Sequence, residues 1–206
     1  MKIYILRHGE TDWNVRKVFQ GQTDTELNAD GIAQAKTCRK RVQELGLHFD
    51  TVYSSPLRRA LRTVEIVTGL PREQIHLDER LKEMNFGPLD GTPFEPTNTV
   101  CGHLFDDPPH YLPPEGAESY EDVIRRQASF YRELALSCSG ENILVGSHGC
   151  AMRLALVWMH YIPLSRIWHQ GIGNCTIIEA ELDPSRLQED CPYHVTHLYE
   201  TADWFH

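Results

Sequence analysis

Apolar residues in this chain occur in short continuous runs that alternate with stretches of helical spacing. Three of the runs are rich in β-branched and aromatic residues, which is typical of buried strands: Ile3–Leu6, Thr51–Ser54 and Ile143–Gly146. Apolar positions recur at intervals of three and four within four stretches, 32–45, 57–67, 123–134 and 151–160. Strand–helix alternation of this kind predicts an α/β fold: a three-layer α/β/α sandwich with a mostly parallel central sheet and helices on both faces.

The rest of the pattern fits one domain spanning residues 1–206. Cys175–Ile178 and Tyr193–Tyr199 are predicted as late strands. The stretch 88–118 is rich in Pro, Gly and Asn, and is predicted to be a loop-rich excursion over the active site at one end of the sheet. The tail Ala202–His206 carries two aromatic side chains, which leaves two alternatives open: it packs on the body, or it forms part of a homodimer contact.

Composition narrows the class of protein. Hydrophobic residues make up 41% of the chain and charged residues 24%, as in ordinary soluble proteins. The formal net charge of −9 argues against nucleic acid or an anionic membrane as a partner. Met1-Lys2 leads directly into the first predicted strand, without a signal-peptide pattern, so a cytoplasmic location is expected. An anionic substrate would therefore need local positive charge within its own site.

Two histidines follow predicted strands directly. Arg7-His8-Gly9 closes the first strand, and Ser147-His148-Gly149 closes the strand at Ile143–Gly146. In open α/β sheets, ligands bind at the carboxyl ends of the strands. A glycine after each histidine lets the backbone turn and lets a ligand approach closely. The pattern therefore predicts a pocket in which two imidazoles meet an anion.

A third cationic position follows the second predicted strand. Ser55 is a favourable N-cap and Pro56 a favourable first helical residue. This helix start would place Arg58 in the first turn, where the helix dipole and the planar guanidinium both favour phosphate. Taken alone, an arginine at a helix end is more often simply solvated, so the prediction depends on its agreement with the histidine motifs.

These motifs together resemble the histidine phosphatase superfamily, also called the phosphoglycerate mutase-like family. The resemblance extends in order along most of the chain and rests on five segments: 7–11 (Arg-His-Gly-Glu-Thr), 13–14 (Trp-Asn), 54–60 (Ser-Ser-Pro-Leu-Arg-Arg-Ala), 81–87 (Leu-Lys-Glu-Met-Asn-Phe-Gly) and 147–149 (Ser-His-Gly). The sequence departs from the family where members often carry Trp-Glu-Gly after Phe-Gly. This chain has Pro88-Leu89-Asp90-Gly91, which places the packing of the pocket wall in question.

The resemblance implies a mechanism and a set of site residues. His8 would be the nucleophile that forms a phosphohistidine, and Glu83 the general acid and then the general base. The transferring phosphoryl group would be held by three further side chains, Arg7, Arg58 and His148. Four residues are expected to bind the substrate: Asn14, Gln20, Gly21 and Gly149. No metal ion and no cofactor is required by this chemistry.

The excursion bears on the substrate. No Lys or Arg occurs between Glu83 and Ile124, and the excursion carries several acidic residues, whereas family mutases have a longer, basic insert there. Phe94, Phe105 and Tyr111 could instead face an apolar or aromatic leaving group. The sequence therefore favours a phosphomonoesterase acting on a small phosphorylated metabolite. Two alternatives remain: a phosphoglycerate mutase, and a non-catalytic module that binds a phosphorylated ligand.

Overall fold

The computed structural model describes residues 1–94 and 103–200. Its strands are β1 (Lys2–Arg7), β2 (Thr51–Ser54), β3 (His76–Leu77), β4 (Asn142–Ser147), β5 (Ile177–Leu182) and β6 (Tyr193–Tyr199). They form one sheet in the order β3-β2-β4-β1-β5-β6. β1 to β4 run parallel, whereas β5 and β6 are antiparallel to their neighbours. The mostly parallel sheet predicted from the sequence is confirmed.

Helices cover both faces of this sheet. They are α1 (Asp12–Val15), α2 (Ala29–Glu44), α3 (Arg58–Thr68), α4 (Tyr120–Ser137) and α5 (Gly149–Trp158). Short 3₁₀ turns occupy much of the remaining chain between β3 and α4. None of the helices in the described ranges is long and apolar enough to cross a membrane.

Two apolar cores lie on opposite sides of the sheet, because side chains along a strand alternate between its faces. One face of β1 and β4 packs with α4 and α5, through Ile3, Ile5, Ile143, Val145, Phe130, Leu134, Met152 and Leu156. The other face packs with α2 and α3, through Tyr4, Leu6, Leu144, Ala35, Cys38, Leu61 and Val64. This arrangement confirms the predicted three layers.

The start of α3 differs from the sequence prediction. The helix begins at Arg58 with Leu57 as its N-cap, and not at Pro56 with Ser55 as the cap. The Ser55 hydroxyl accepts a hydrogen bond from the Leu57 N–H at 3.3 Å, which closes a turn ahead of the helix. A shift of two residues rotates the first turn by about half a revolution, which changes the direction in which Arg58 and Arg59 point.

The excursion is described only in part, because residues 95–102 lie outside the described ranges. The tail Ala202–His206, for which packing on the body or a dimer contact was predicted, also lies outside them. The described flanks are tied to the body. The Phe94 N–H donates to the Lys17 carbonyl at 2.7 Å, and the Tyr120 hydroxyl donates to the Leu104 carbonyl at 2.7 Å. Leu104 of the excursion also belongs to a third apolar cluster, together with Phe19 and Phe86.

Candidate active site

A cavity of about 360 Å³ opens at the carboxyl edge of the sheet. The register of β1 and β4 pairs Arg7 with Ser147, so the residues that follow, His8 and His148, are adjacent at this edge. Sixteen residues line the cavity: Arg7, His8, Trp13, Asn14, Lys17, Val18, Phe19, Gln20, Glu83, Phe86, Phe94, Phe105, Gly149, Cys150, Arg153 and Trp168.

His8 is held in one orientation on the floor of the cavity. Its side chain is almost fully buried, and Nδ1 lies 2.7 Å from the Gly9 carbonyl oxygen. A carbonyl can only accept, so Nδ1 carries the proton and Nε2 keeps its lone pair. Burial lowers the pKa of His8 well below its usual range, and the positive charges of Arg59 and Arg7 lower it further. The imidazole is therefore neutral at pH 7.

His148 is fully buried next to His8 and is the N-cap residue of α5. The two ring centroids lie 5.3 Å apart. Nε2 of His148 is 2.8 Å from the Ser55 hydroxyl, and Nδ1 is buried without a hydrogen-bond partner among the described residues. Burial lowers the pKa of His148 as well, followed by the charge of Arg59. Both predicted histidines are thus brought together, although His148 lies behind the cavity wall and does not line it.

Arg58 is not brought to the pocket, which corrects its predicted position. Its side chain is 56% exposed and forms ion pairs with Asp24 and Glu26 on the surface. Arg58 lies on the same face of α3 as Arg62 and Glu65, because the three residues are spaced by four and three positions. Arg62 and Glu65 also form an ion pair at the surface. Arg58 therefore belongs to the solvated side of the helix.

Arg59, which was not predicted, takes the place next to the two histidines that was expected of Arg58, although it does not itself line the cavity. It is fully buried, and it donates hydrogen bonds to the carbonyls of Gly21 at 2.7 Å and Thr23 at 2.8 Å. Burial lowers the pKa of its guanidinium to about 10, and its charge contributes to lowering the pKa of both His8 and His148. Helical spacing could have identified it, since Arg59 lies on the same face as the buried Thr63.

The loop that holds Arg59 is itself held by Asp90. One carboxylate oxygen accepts from the Gly21 N–H at 2.8 Å, and the other accepts from the Thr23 hydroxyl at 3.1 Å. Asp90 stands where the family often has glutamate, so the carboxylate is retained despite the different neighbours. Gly21 was expected to bind substrate, but its N–H and its carbonyl are engaged by Asp90 and Arg59, and it does not line the cavity.

Glu83 lines the cavity beside the first turn of α5. Its side chain is buried, and its carboxylate accepts from the backbone N–H groups of Cys150 at 3.0 Å and Ala151 at 2.9 Å. A carboxylate at this position satisfies helix N–H groups that have no partner within the helix. The segment is braced by Arg126, whose guanidinium donates to the Glu83 carbonyl at 3.0 Å. Arg126 was not predicted from the sequence.

Three of the expected substrate-binding residues line the cavity: Asn14, Gln20 and Gly149. The side-chain oxygen of Asn14 accepts from the Thr11 N–H, which closes the capping box of α1. The side-chain oxygen of Gln20 accepts from the Thr11 hydroxyl at 2.9 Å, while its buried Nε2 has no hydrogen-bond partner within the described residues. The cavity is thus bordered by two amide side chains whose oxygens are already engaged.

The outer wall of the cavity is aromatic. Phe94 and Phe105 from the excursion line it with Trp168, with ring centroids 4.7 to 5.9 Å apart. Tyr111, which was also expected to face a leaving group, instead packs against Tyr120 at 5.0 Å and does not line the cavity. The cavity therefore combines a cationic floor with an apolar rim.

The fold and the site together define an α/β protein whose cavity, at the carboxyl edge of the sheet, is lined by histidine, arginine and glutamate side chains. Neutral His8 faces the cavity among guanidiniums, and Glu83 is the carboxylate in its lining. Within the described ranges, no three His, Cys, Asp or Glu side chains are grouped so as to hold a metal ion. The family model described as "Histidine phosphatase superfamily (branch 1)" matches residues 3–191, and the chain belongs to this superfamily.

Relatives in the superfamily carry the names of two activities. A Hydrogenobacter thermophilus protein provisionally named phosphoserine phosphatase 2 is 30% identical over 88% of this chain and 90% of its own length. A 2,3-bisphosphoglycerate-dependent phosphoglycerate mutase of Methylobacterium sp. (strain 4-46) is 32% identical over 73% of this chain and 76% of its own. The chain is thus similar both to a relative named as a phosphatase and to a relative named as a mutase.

A solved structure is similar over nearly the whole fold. A mutant form of phosphoserine phosphatase from Entamoeba histolytica, in complex with phosphoserine, superposes with a TM-score of 0.82. It is 26% identical and covers 98% of each chain. The α/β architecture predicted from the sequence is thus shared with a member that holds a small phosphorylated ligand.

Proposed function

We propose that this protein is a phosphomonoesterase that hydrolyses a small phosphorylated metabolite through a phosphohistidine intermediate. The observation that carries the proposal is the state of His8: its Nδ1 donates to the Gly9 carbonyl, its pKa is lowered, and it lines the cavity. A neutral imidazole with a fixed tautomer is ready for attack by Nε2 without prior loss of a proton.

Each step assigns a task to residues around the cavity. His8 Nε2 forms a bond to phosphorus while the bond from phosphorus to the ester oxygen breaks, and the leaving oxygen takes a proton from Glu83. Arg7 and Arg59 stabilise the charge on the phosphoryl oxygens, as preorganised cations do in phosphoryl transfer. Water then attacks the phosphohistidine, gives a proton to Glu83, and releases orthophosphate together with free His8.

Hydrolysis is favoured over mutase activity by the side chains that the excursion brings to the cavity. In the described part of the excursion, the residues that line the cavity are Phe94 and Phe105 rather than cations. Phosphoserine and phosphoglycerate are the first esters to screen, because relatives bind or are named for them. Incubation with 3-phosphoglycerate and a trace of 2,3-bisphosphoglycerate separates the activities. A mutase forms 2-phosphoglycerate, whereas a phosphatase releases orthophosphate.

The first experiment measures phosphate release from p-nitrophenyl phosphate in excess EDTA. We expect turnover by the wild type, its loss in His8→Ala, and its retention in His48→Ala, a control at an exposed histidine. Turnover that survives His8→Ala would refute the nucleophile. A folded wild type that binds phosphate esters but turns over none of them would instead indicate a binding module.

A further inference from the structure

Arg153 is a cation in the cavity wall to which the mechanism gives no task. It lies on α5, where Nε donates to the Gln170 carbonyl at 3.0 Å and Nη1 donates to the Gly149 carbonyl at 2.9 Å. Among the described residues it forms no ion pair, and its Nη2 donates no hydrogen bond. Arg126, by contrast, is paired with Glu118. Glu83, whose negative charge acts on Arg153 without forming an ion pair with it, is engaged by backbone N–H groups of α5. A guanidinium in a cavity wall that has no ion-pair partner is suited to an anionic ligand.

The Arg153 side chain is held rigidly in this position. Its guanidinium carbon lies 5.5 Å from the centroid of the Trp168 ring, in a cation–π contact. Trp168 is in turn fixed, because its indole N–H donates to the Tyr120 hydroxyl at 2.9 Å. Two backbone carbonyls and an aromatic face thus orient Arg153 before any ligand binds, and preorganisation of this kind favours binding.

Arg153 lies close to Arg7, one of the two arginines that would bind the phosphoryl group. Arg153 Nη1 and Arg7 Nε each lie 3.3 Å from the point where a Cβ on Gly149 would stand, so the two guanidiniums approach each other over Gly149. Arg7 is held by a hydrogen bond of its own, in which Nη1 donates to the Ile172 carbonyl. Burial lowers the pKa of Arg7 to about 10, and repulsion from Arg153 contributes next. A ligand with two anionic groups would relieve this repulsion at both positions.

We propose that Arg153 binds a carboxylate of the substrate, so that the substrate class is a phosphomonoester with a carboxylate a few atoms from its phosphate. This inference rests on the proposed function. A carboxylate carries one negative charge, which matches the single guanidinium of Arg153 with its Nη2 free to donate. A second phosphate, with nearly two charges, would be opposed by the acidic excursion, where Asp106 and Asp107 are described.

The test compares two substrates that differ by one carboxylate, O-phosphoserine and O-phosphoethanolamine. We expect the wild type to prefer phosphoserine in kcat/KM, and Arg153→Met to lower the phosphoserine to phosphoethanolamine ratio about 10- to 100-fold, as for loss of a charged hydrogen bond. Arg153→Lys keeps the charge without the planar fork, so an intermediate ratio is expected. Arg125→Met, an exposed arginine on α4, is the matched control and should keep the wild-type ratio.

An unchanged ratio in folded Arg153→Met would overturn the assignment, and so would a wild type that shows no preference. A binding assay separates this inference from the proposed function. In His8→Ala, calorimetry should show tighter binding of phosphoserine than of phosphoethanolamine, and adding Arg153→Met should remove the difference. Failure of all turnover with the difference intact would reject the phosphatase and keep the carboxylate site. Equal affinities in His8→Ala would reject the carboxylate site whether or not phosphate is released.

Discussion

Arg58 and Arg59 are adjacent at the start of α3, yet we expect only Arg59 to be important for activity and stability. Arg59 is fully buried and donates to the Gly21 and Thr23 carbonyls at 2.7 and 2.8 Å. Arg58 is 56% exposed and paired only at the surface. Replacing each in turn by methionine keeps the length and helix preference of the side chain while removing its charge.

The expected magnitudes follow from these environments. Arg59→Met leaves two carbonyls without a charged donor, which should lower the free energy of unfolding by about 2 to 4 kcal/mol. Loss of a preorganised cation beside the phosphoryl group should lower kcat/KM by about 100- to 1,000-fold. Arg58→Met breaks exposed ion pairs, so its cost should stay below about 1 kcal/mol, with an effect on kcat/KM of less than about threefold.

The assay is phosphate release by both variants at saturating and limiting p-nitrophenyl phosphate, with urea unfolding as the measure of stability. Arg59→Lys adds a variant that keeps a charge but cannot reach both carbonyls with one planar group. The reasoning would be refuted if Arg58→Met lost more activity than Arg59→Met, since burial would then be a poor guide to which arginine meets the phosphate.

Three further predictions concern the carboxylates and the histidines. Glu83→Gln should slow hydrolysis of alkyl phosphates by about 100-fold or more but p-nitrophenyl phosphate far less, because nitrophenolate leaves without a proton; equal losses would contradict its role as an acid. Asp90→Asn should lower kcat/KM about 3- to 10-fold through the loop at Gly21, while an unchanged pH profile would exclude direct proton transfer. The lowered pKa values of His8 and His148 mean that the unfolded chain binds protons below about pH 6.5 that the folded protein does not. Stability to urea should therefore fall by up to about 2.7 kcal/mol per pH unit for the pair on acidification below that pH, and a flat profile would contradict their burial as neutral groups.

The layered fold could be predicted because the spacing of apolar residues and the types of residue change together from the strands to the helices. β1, β2 and β4 are continuous apolar runs, and the helices between them show a clear apolar face. β3 consists of only His76–Leu77, which is too short for a periodic signal. The antiparallel direction of β5 and β6 depends on connections that no local pattern records.

The site was predictable where a motif fixes position directly after a strand, as at His8 and His148. It was not predictable where a shift of one residue along a helix decides which side chain is buried, as at Arg58 and Arg59. There, the favourable Ser55-Pro56 start suggested a helix two residues earlier than the one that forms. The helical spacing of the buried positions in α3 is a better guide to the buried arginine, because Arg59 and Thr63 are four residues apart and both are buried.

Arg153 was missed for a different reason. It is the one charged residue within Cys150–Trp158, so a lone cation in an otherwise apolar helix was the available signal. Its surroundings are assembled from distant parts of the chain, since Trp168 and the Gln170 carbonyl come from a later segment. Only tertiary structure shows that this cation lines the cavity.

The same cations serve two purposes in this arrangement. A chain with net charge −9 must concentrate positive charge locally to hold a phosphate ester. In the proposed mechanism Arg7 and Arg59 provide that charge, and the same two cations lower the pKa of His8 beyond the effect of burial. An imidazole that stays unprotonated beside cations is a nucleophile at neutral pH, whereas the same imidazole beside carboxylates would hold its proton. In the proposed mechanism, substrate binding and activation of the nucleophile therefore follow from one electrostatic arrangement, which is why neutralising Arg59 should impair both.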